Sequence, residues 1–224
     1  MTAAVTPSRK AAPDVKRMSK ASVHEWLSRS QNRYIAAGVG LALIALIVWF
    51  VMMSGQRKEQ FASRALDQAR AIAEQGNLPL AASEFQKVIS TYGGTIAAQE
   101  AVINLNQVRL INGQQELAAV NMQDFLKGQA APQFRSPAYG LLGRALENAG
   151  RHADAAEAYV NASKAANFDY LKADLLLDAA RAYADAGQRD KAEGAYRSVI
   201  KDFAQTSSKV EAEIRLAELT AGKM

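Results

Sequence analysis

The strongest contrast along the chain is between one uninterrupted apolar run and a long stretch in which apolar and polar positions alternate with helical spacing. The run is Tyr34 to Met53, YIAAGVGLALIALIVWFVMM, 20 residues without a charge. As a helix it reaches roughly 30 Å, the thickness of a bilayer's hydrocarbon core. Tyr34 and Trp49 lie toward its two ends, where amphipathic rings favour the interface. From about Arg57 the sequence becomes Ala-rich, charged and helix-forming. There Gly76, Gly113, Gly150 and Gly187 recur every 37 residues. Five residues after each comes Ala81, Ala118, Ala155 and Ala192; four later Phe85, Met122, Tyr159 and Tyr196; three later again Val88, Phe125, Ala162 and Val199. Four positions in phase over four copies define an internal repeat.

One unit reads as a helix hairpin. A first helix, A, closes at the glycine, which accepts the left-handed backbone of a helix end. A second helix, B, then opens with Pro79, Glu116 or Asp190 three residues on, each suited to a first helical turn; the third copy has Ala153 there and its acid at Asp154. The Ala shared by all copies marks the crossing of B over A, with a large apolar residue one turn on filling the space beside it. On helix A the matching close-approach positions are Ala69, Asn106, Gly143 and Ala180. The literal phase gives units 62–98, 99–135, 136–172 and 173–209. Residues 210–224 then form a terminal capping helix, with Val210, Ile214 and Ala217 expected against the stack and Glu211, Arg215 and Glu218 in water. The longer loops are expected at TYGGT, KGQAAPQFRS, ANFDY and DFAQTSS.

The resulting fold class is all-α: one N-terminal transmembrane helix over 34–53, a connector over 54–61 that Ser54-Gly55 loosens, and a solenoid of four hairpins over 62–209 with a cap at 210–224. Residues 1–33 form a basic tail, Ala-, Pro-, Ser- and Lys-rich and expected to be largely disordered, with a short interfacial helix over 21–33 carrying Val23, Trp26 and Leu27. A cleaved signal peptide fits poorly, because 33 residues precede the run and Val51-Met52-Met53 offers no small-residue cleavage site. Within the span, Ala36/Gly40 and Gly38/Ala42 are small-xxx-small pairs that permit close helix approach.

Charge sets the orientation. The tail carries seven Lys and Arg, at 9, 10, 16, 17, 20, 29 and 33, against Asp14 and Glu25; beyond the run come only Arg57 and Lys58 before Glu59. Positive residues stay on the cytoplasmic side, so the repeats are expected outside the cytoplasm. The whole chain has 27 basic and 22 acidic residues. The tail accounts for the net +5, leaving 20 of each sign beyond it. With no basic field on the repeats, nucleic-acid binding has no electrostatic basis there. The chain has no cysteine and only two histidines, His24 and His152, which excludes disulfides, thiolate chemistry and a two-His metal site in the repeats. No phosphate loop, nucleophile elbow or zinc motif is present. His152, beside the turn glycine Gly150, is expected to face solvent. No catalytic residue, cofactor, metal or small-molecule substrate is expected.

Function then rests on a surface. The hairpin pattern resembles the tetratricopeptide repeat, matched best by Leu142-Gly143, Gly150, Ala155 and Tyr159. The proline usual near the end of helix B is missing in every copy, and the second copy departs most. The resemblance implies that the A helices line a concave face where extended or helical segments dock. Position 9 of each unit points there and holds Arg70, Gln107, Arg144 and Arg181, with Asn104 and Glu147 one turn from Gln107 and Arg144. This row either receives carboxylates by bidentate pairing or is consumed by acids within the stack.

The layout of span and repeats, with the stretch VHEWLSRSQNRY before the span, is similar to the ancillary subunit of the SecYEG translocon (YfgM-like proteins). That resemblance implies a bacterial inner-membrane protein with periplasmic repeats and protein partners: translocon subunits, a periplasmic chaperone or exported chains. An envelope scaffold for cell-wall or outer-membrane assembly has the same sequence features. A cytosolic import receptor conflicts with the basic tail.

Overall fold

The computed structural model describes residues 30–128 and 130–221, with side chains from Ala37 onward and at Tyr34. The tail and most of the interfacial helix expected over 21–33 lie outside the described residues. Among the described residues there are nine helices and no strand: α1 (Ser30–Glu74), α2 (Leu78–Thr91), α3 (Ile96–Ile111), α4 (Gln115–Lys127), α5 (Pro132–Asn148), α6 (His152–Ala165), α7 (Asp169–Asp185), α8 (Arg189–Asp202) and α9 (Ser208–Ala221). The chain divides into two compact units, 1–55 and 56–224.

In the first unit α1 carries the apolar run. It is the one helix among the described residues long and apolar enough to cross a membrane, and none of its apolar window is buried. Val39, Leu41, Ile47 and Phe50 are 55–69 % exposed. In water each such side chain forfeits about 1.5–3 kcal/mol that burial would supply. Ser54 and Gly55, expected to loosen the helix, do not interrupt it. A lone glycine costs about 1 kcal/mol in a helix interior, too little to break a sequence otherwise rich in Ala, Gln, Arg, Lys and Glu. The connector 54–61 is therefore helical.

The second unit is built from alternating A and B helices. The end of α1, then α3, α5 and α7, are A helices; α2, α4, α6 and α8 are B helices. Every A helix closes in the same way. Gly76, Gly113, Gly150 and Gly187 all have φ between 71° and 81°. The residue after each glycine donates its N–H to a carbonyl five back, as in Arg151 to Leu146 at 2.8 Å, and the glycine donates three back, as in Gly150 to Glu147 at 2.9 Å. This pair of bonds satisfies the carbonyls a helix end leaves open. Each B helix begins two residues after its glycine. Asn77 caps α2 by accepting from the N–H of Leu80, and Pro79 occupies its first turn.

Several stretches expected as loops are helical. The B-to-A connections are only 92–95, 128–131, 166–168 and 203–207. Pro132 to Ser136 opens α5, with Pro132 at a first-turn position that needs no N–H, and Asp169-Tyr170 opens α7.

The phase-locked residues form the core. Ala81, Ala118, Ala155 and Ala192 are fully buried, as are Met122 and, to within a few per cent, Phe85, Tyr159 and Tyr196. The close-approach positions Ala69, Asn106, Gly143 and Ala180 are buried too. Asn106 meets its polar needs locally, donating to the Val102 carbonyl at 2.8 Å and accepting from Arg109 at 3.1 Å. Two buried clusters result. One joins the end of α1 to α2 and α3 through Leu66, Phe85 and Leu105; the other runs from Ile103 on α3 to Ala212 on α9.

The cap departs from expectation. The residues of α9 that meet the stack are Ser208 and Ala212, buried, with Leu216 and Leu219 half-buried. Val210, Ile214 and Ala217 face away and are exposed. A helix with apolar residues on two sides gives no amphipathic signal for which side meets the preceding hairpin.

Two glycines on α5 test the packing in opposite directions. A Cβ on Gly143 would stand 2.6 Å from the Tyr159 ring, closer than real side chains approach, whereas one on Gly140 would meet Leu175 at an ordinary 3.5 Å. Gly143→Val is expected to cost toward the upper end of about 1–3 kcal/mol, and Gly140→Ala to be neutral or to stabilise by up to about 1 kcal/mol. Thermal unfolding of the two variants, followed by circular dichroism, measures both; equal midpoints would contradict the crossing geometry.

Candidate functional site

The A helices place their position-9 side chains along three adjoining cavities in the second unit. The first, about 350 Å³, is lined by Arg70, Asn104 and Gln107 above Leu78, Phe85 and Val108. The second, about 460 Å³, is lined by Gln107 and Arg144 with Asp178, over a floor that includes Pro137, Gly140, Leu141, Leu171 and Leu175. The third, about 320 Å³, holds Arg181 and Asp185 beside Tyr196, Arg215 and Glu218. Gln107 belongs to the first two. Five of the six expected residues thus lie in one row of cavities. Glu147 does not line them; its carboxylate accepts the Tyr159 hydroxyl at 2.7 Å.

The sequence left open whether the arginines are free or consumed, and they divide. Arg70 donates to Glu100 on α3 and lies 3.7 Å from Asp67. Arg181 donates to Asp178. Exposed Arg144 has neither an ion pair nor a hydrogen bond among the described residues. The reason is local. On a helix the residue three before is a neighbour, and that residue is Asp67 for Arg70, Asp178 for Arg181, but Leu141 for Arg144. Arg144 is therefore a cation standing over apolar side chains.

Its surroundings are polarised by burial. Burial, then the bond to Glu147, pushes the Tyr159 phenol far above its ordinary range, so it remains a neutral donor. Burial also pushes the Asp178 carboxyl up, against the opposing pull of Arg181. Pro137 lies inside α5; it has no N–H to give and leaves one carbonyl of the preceding turn without its usual helical donor. The neighbouring Ser136 hydroxyl donates across to the Ala162 carbonyl at 3.0 Å. Asn104 adds a side-chain nitrogen enclosed without a hydrogen-bond partner among the described residues.

Sequence reasoning missed three contributors. Asp178 and Glu100 fix the two paired arginines, and Asp178 was legible from its spacing alone. The third is Glu59, whose carboxylate accepts the backbone N–H of Ile96 and of Ala97, each at 2.9 Å, while Lys58 donates to the Gly93 carbonyl at 2.8 Å. These bonds hold the start of α3 and the turn before it to α1 across 35 to 38 residues, with an anion at a helix N-terminus where the dipole favours it. His152, expected in solvent, is half-buried at the start of α6, with Nδ1 enclosed and unpartnered among the described residues. Among the described residues no group of three His, Asp or Glu side chains is placed to hold a metal.

The contribution of the Tyr159–Glu147 bond can be separated from the charge of Arg144. Tyr159→Phe is expected to lower stability by about 1 kcal/mol, whereas Arg144→Ala should stay within about 0.5 kcal/mol of the parent. Chemical unfolding of both variants checks this, and a large loss for Arg144→Ala would show that it has a structural partner.

Comparison with known proteins agrees with this architecture. The family model described as a tetratricopeptide repeat-like domain matches residues 25–221. The crystal structure of MamA protein superposes with a TM-score of 0.58 at 21% identity, covering 72% of this chain and 82% of that one. A Podosopora anserina putative kinesin light chain with nearly identical TPR-like repeats superposes with a TM-score of 0.59 at 18% identity, covering 72% and 88%; a point variant of that same protein gives 0.59 at 19% identity, covering 72% and 87%. At these identities the likeness concerns the fold alone. The search of curated proteins found no match.

Proposed function

The chain belongs to the tetratricopeptide repeat-like domain family, and on that premise we propose that it is a membrane-anchored scaffold that holds segments of other proteins in the groove of its A helices. The observation that carries this reading is Arg144, a guanidinium with no ion pair or hydrogen bond among the described residues, at a cavity of about 460 Å³ whose floor includes Leu141, Leu171 and Leu175. Such a site accepts a segment that presents a carboxylate beside apolar side chains, since a guanidinium pairs bidentately with a carboxylate and the floor rewards burial. The work is binding, and no residue is assigned a catalytic step.

We place the repeats outside the cytoplasm, with the tail inside. The support is the seven basic residues of the tail against two, Arg57 and Lys58, close to the far end of the run. The similarity in layout to the ancillary subunit of the SecYEG translocon supports a place beside a translocon in a bacterial inner membrane. There the groove would receive exported chains or a periplasmic chaperone.

Topology is testable without background, because the chain has no cysteine. In spheroplasts a membrane-impermeant maleimide should label Ser83→Cys, an exposed position on α2, and should reach Ser8→Cys only after permeabilisation. The opposite pattern overturns the orientation. For the groove, a photocrosslinker at position 144 should trap translocon subunits, periplasmic chaperones or exported chains, and Arg144→Glu should reduce their co-isolation. Capture of cell-wall or outer-membrane assembly proteins would instead assign an envelope scaffold, and full recovery with Arg144→Glu would move the binding site elsewhere.

A further inference from the structure

The exposed face of α9 is the counterpart of a face that is buried in other units. Counting by the 37-residue phase, Val210, Ile214 and Ala217 correspond to Ala62, Leu66 and Ala69 on α1 and to Ala173, Leu177 and Ala180 on α7. Those six residues are at most 5% exposed, because the B helix of the same unit lies on them, as the Tyr159 ring lies on Gly143. Val210 and Ile214 are 60% and 54% exposed, and Ala217 is exposed. Among the described residues nothing covers them, and none of the three lines a groove cavity.

We propose that this face of α9 docks an amphipathic helix of another protein that carries the B-helix pattern, a small residue followed four positions later by a large apolar one, with basic residues along its edges. The pattern follows from the chain itself, whose four B helices meet this same face with Ala81/Phe85, Ala118/Met122, Ala155/Tyr159 and Ala192/Tyr196. The basic edges follow from charge. At about 100° per residue, Glu211 and Glu218 border the stripe on one side and Glu213 on the other. Arg215 and Lys209, which pair with them at 3.3–3.8 Å, are set back toward the stack. The acids also argue against a second copy of this chain, because an antiparallel pairing brings like edges of the two helices together and, centred near Ile214, would set Glu211 beside Glu218 of the other copy. This inference is independent of the groove and of the translocon reading.

The test uses the full-length protein in detergent micelles and a fluorescent peptide of residues 188–203, whose own place in the fold is over the equivalent face of α7. Saturable binding is expected, weakened about tenfold or more by Ile214→Glu in the protein and by Arg189→Glu with Lys191→Glu in the peptide, and unchanged by Ile111→Glu on α3, an isoleucine that is 69% exposed. In a second arm, residues 186–203 are appended in phase after Gly222, so that the face is covered from within the chain. That variant should unfold at a temperature several degrees higher and no longer bind the peptide. Peptide binding indifferent to Ile214→Glu, or an appended helix that neither stabilises nor competes, overturns the proposal. So does a dimer, seen by light scattering, that Ile214→Glu dissociates, since the occupant would then be a second copy.

Discussion

The crossing of helix B over helix A at a residue with little or no side chain is the constraint on which the repeats depend. Tyr159 can lie on α5 only because Gly143 has no Cβ, and the ring is then fixed at its far end by Glu147. Ala69 and Ala180, fully buried at the matching positions, add no more than a methyl group there. Once the axes approach this closely, the turn between them must be short. The left-handed glycine makes it short, returning the chain in three residues, such as 149–151. The same crossing sets which side of helix A remains uncovered, and therefore where position 9 points. Groove, turn and core are consequences of one spacing.

An interior A helix packs on two sides, against its own B helix and against the preceding hairpin. This makes stability nearest-neighbour in character. The second repeat, where a satisfied Asn106 replaces the small apolar residue, is also where the two buried clusters meet, on α3. The cluster of the first hairpin and the cluster of the later ones therefore share one helix and occupy different faces of it.

The parts of the fold legible in the sequence were those governed by repetition: the glycine period, the Ala and large apolar positions after it, and the apolar run of α1. A repeated pattern averages away the accidents of one copy. What stayed hidden depended on single long-range encounters. Nothing in the residues near Glu59 shows that it closes the start of α3, and nothing near Tyr159 shows that its hydroxyl reaches Glu147. Two features lay in plain view but needed a different question. The aspartates three before Arg70 and Arg181, and the leucine three before Arg144, sort the arginines by helical spacing alone. On α9 the stripe of Val210, Ile214 and Ala217 has the right period, but period does not say which of two neighbours it serves.

The bonds that Lys58 and Glu59 make to the turn and helix start at 93–97 bear on how load enters the repeats. Tension along α1 is delivered at Lys58 and Glu59, about four turns before its end, to the backbone of the turn and of α3 as well as to the side chains that pack on α1. Three hydrogen bonds gathered in this one region must then break before α1 can part from the start of α3. For a module tethered through that helix, the first hairpin is the part built to resist being drawn out.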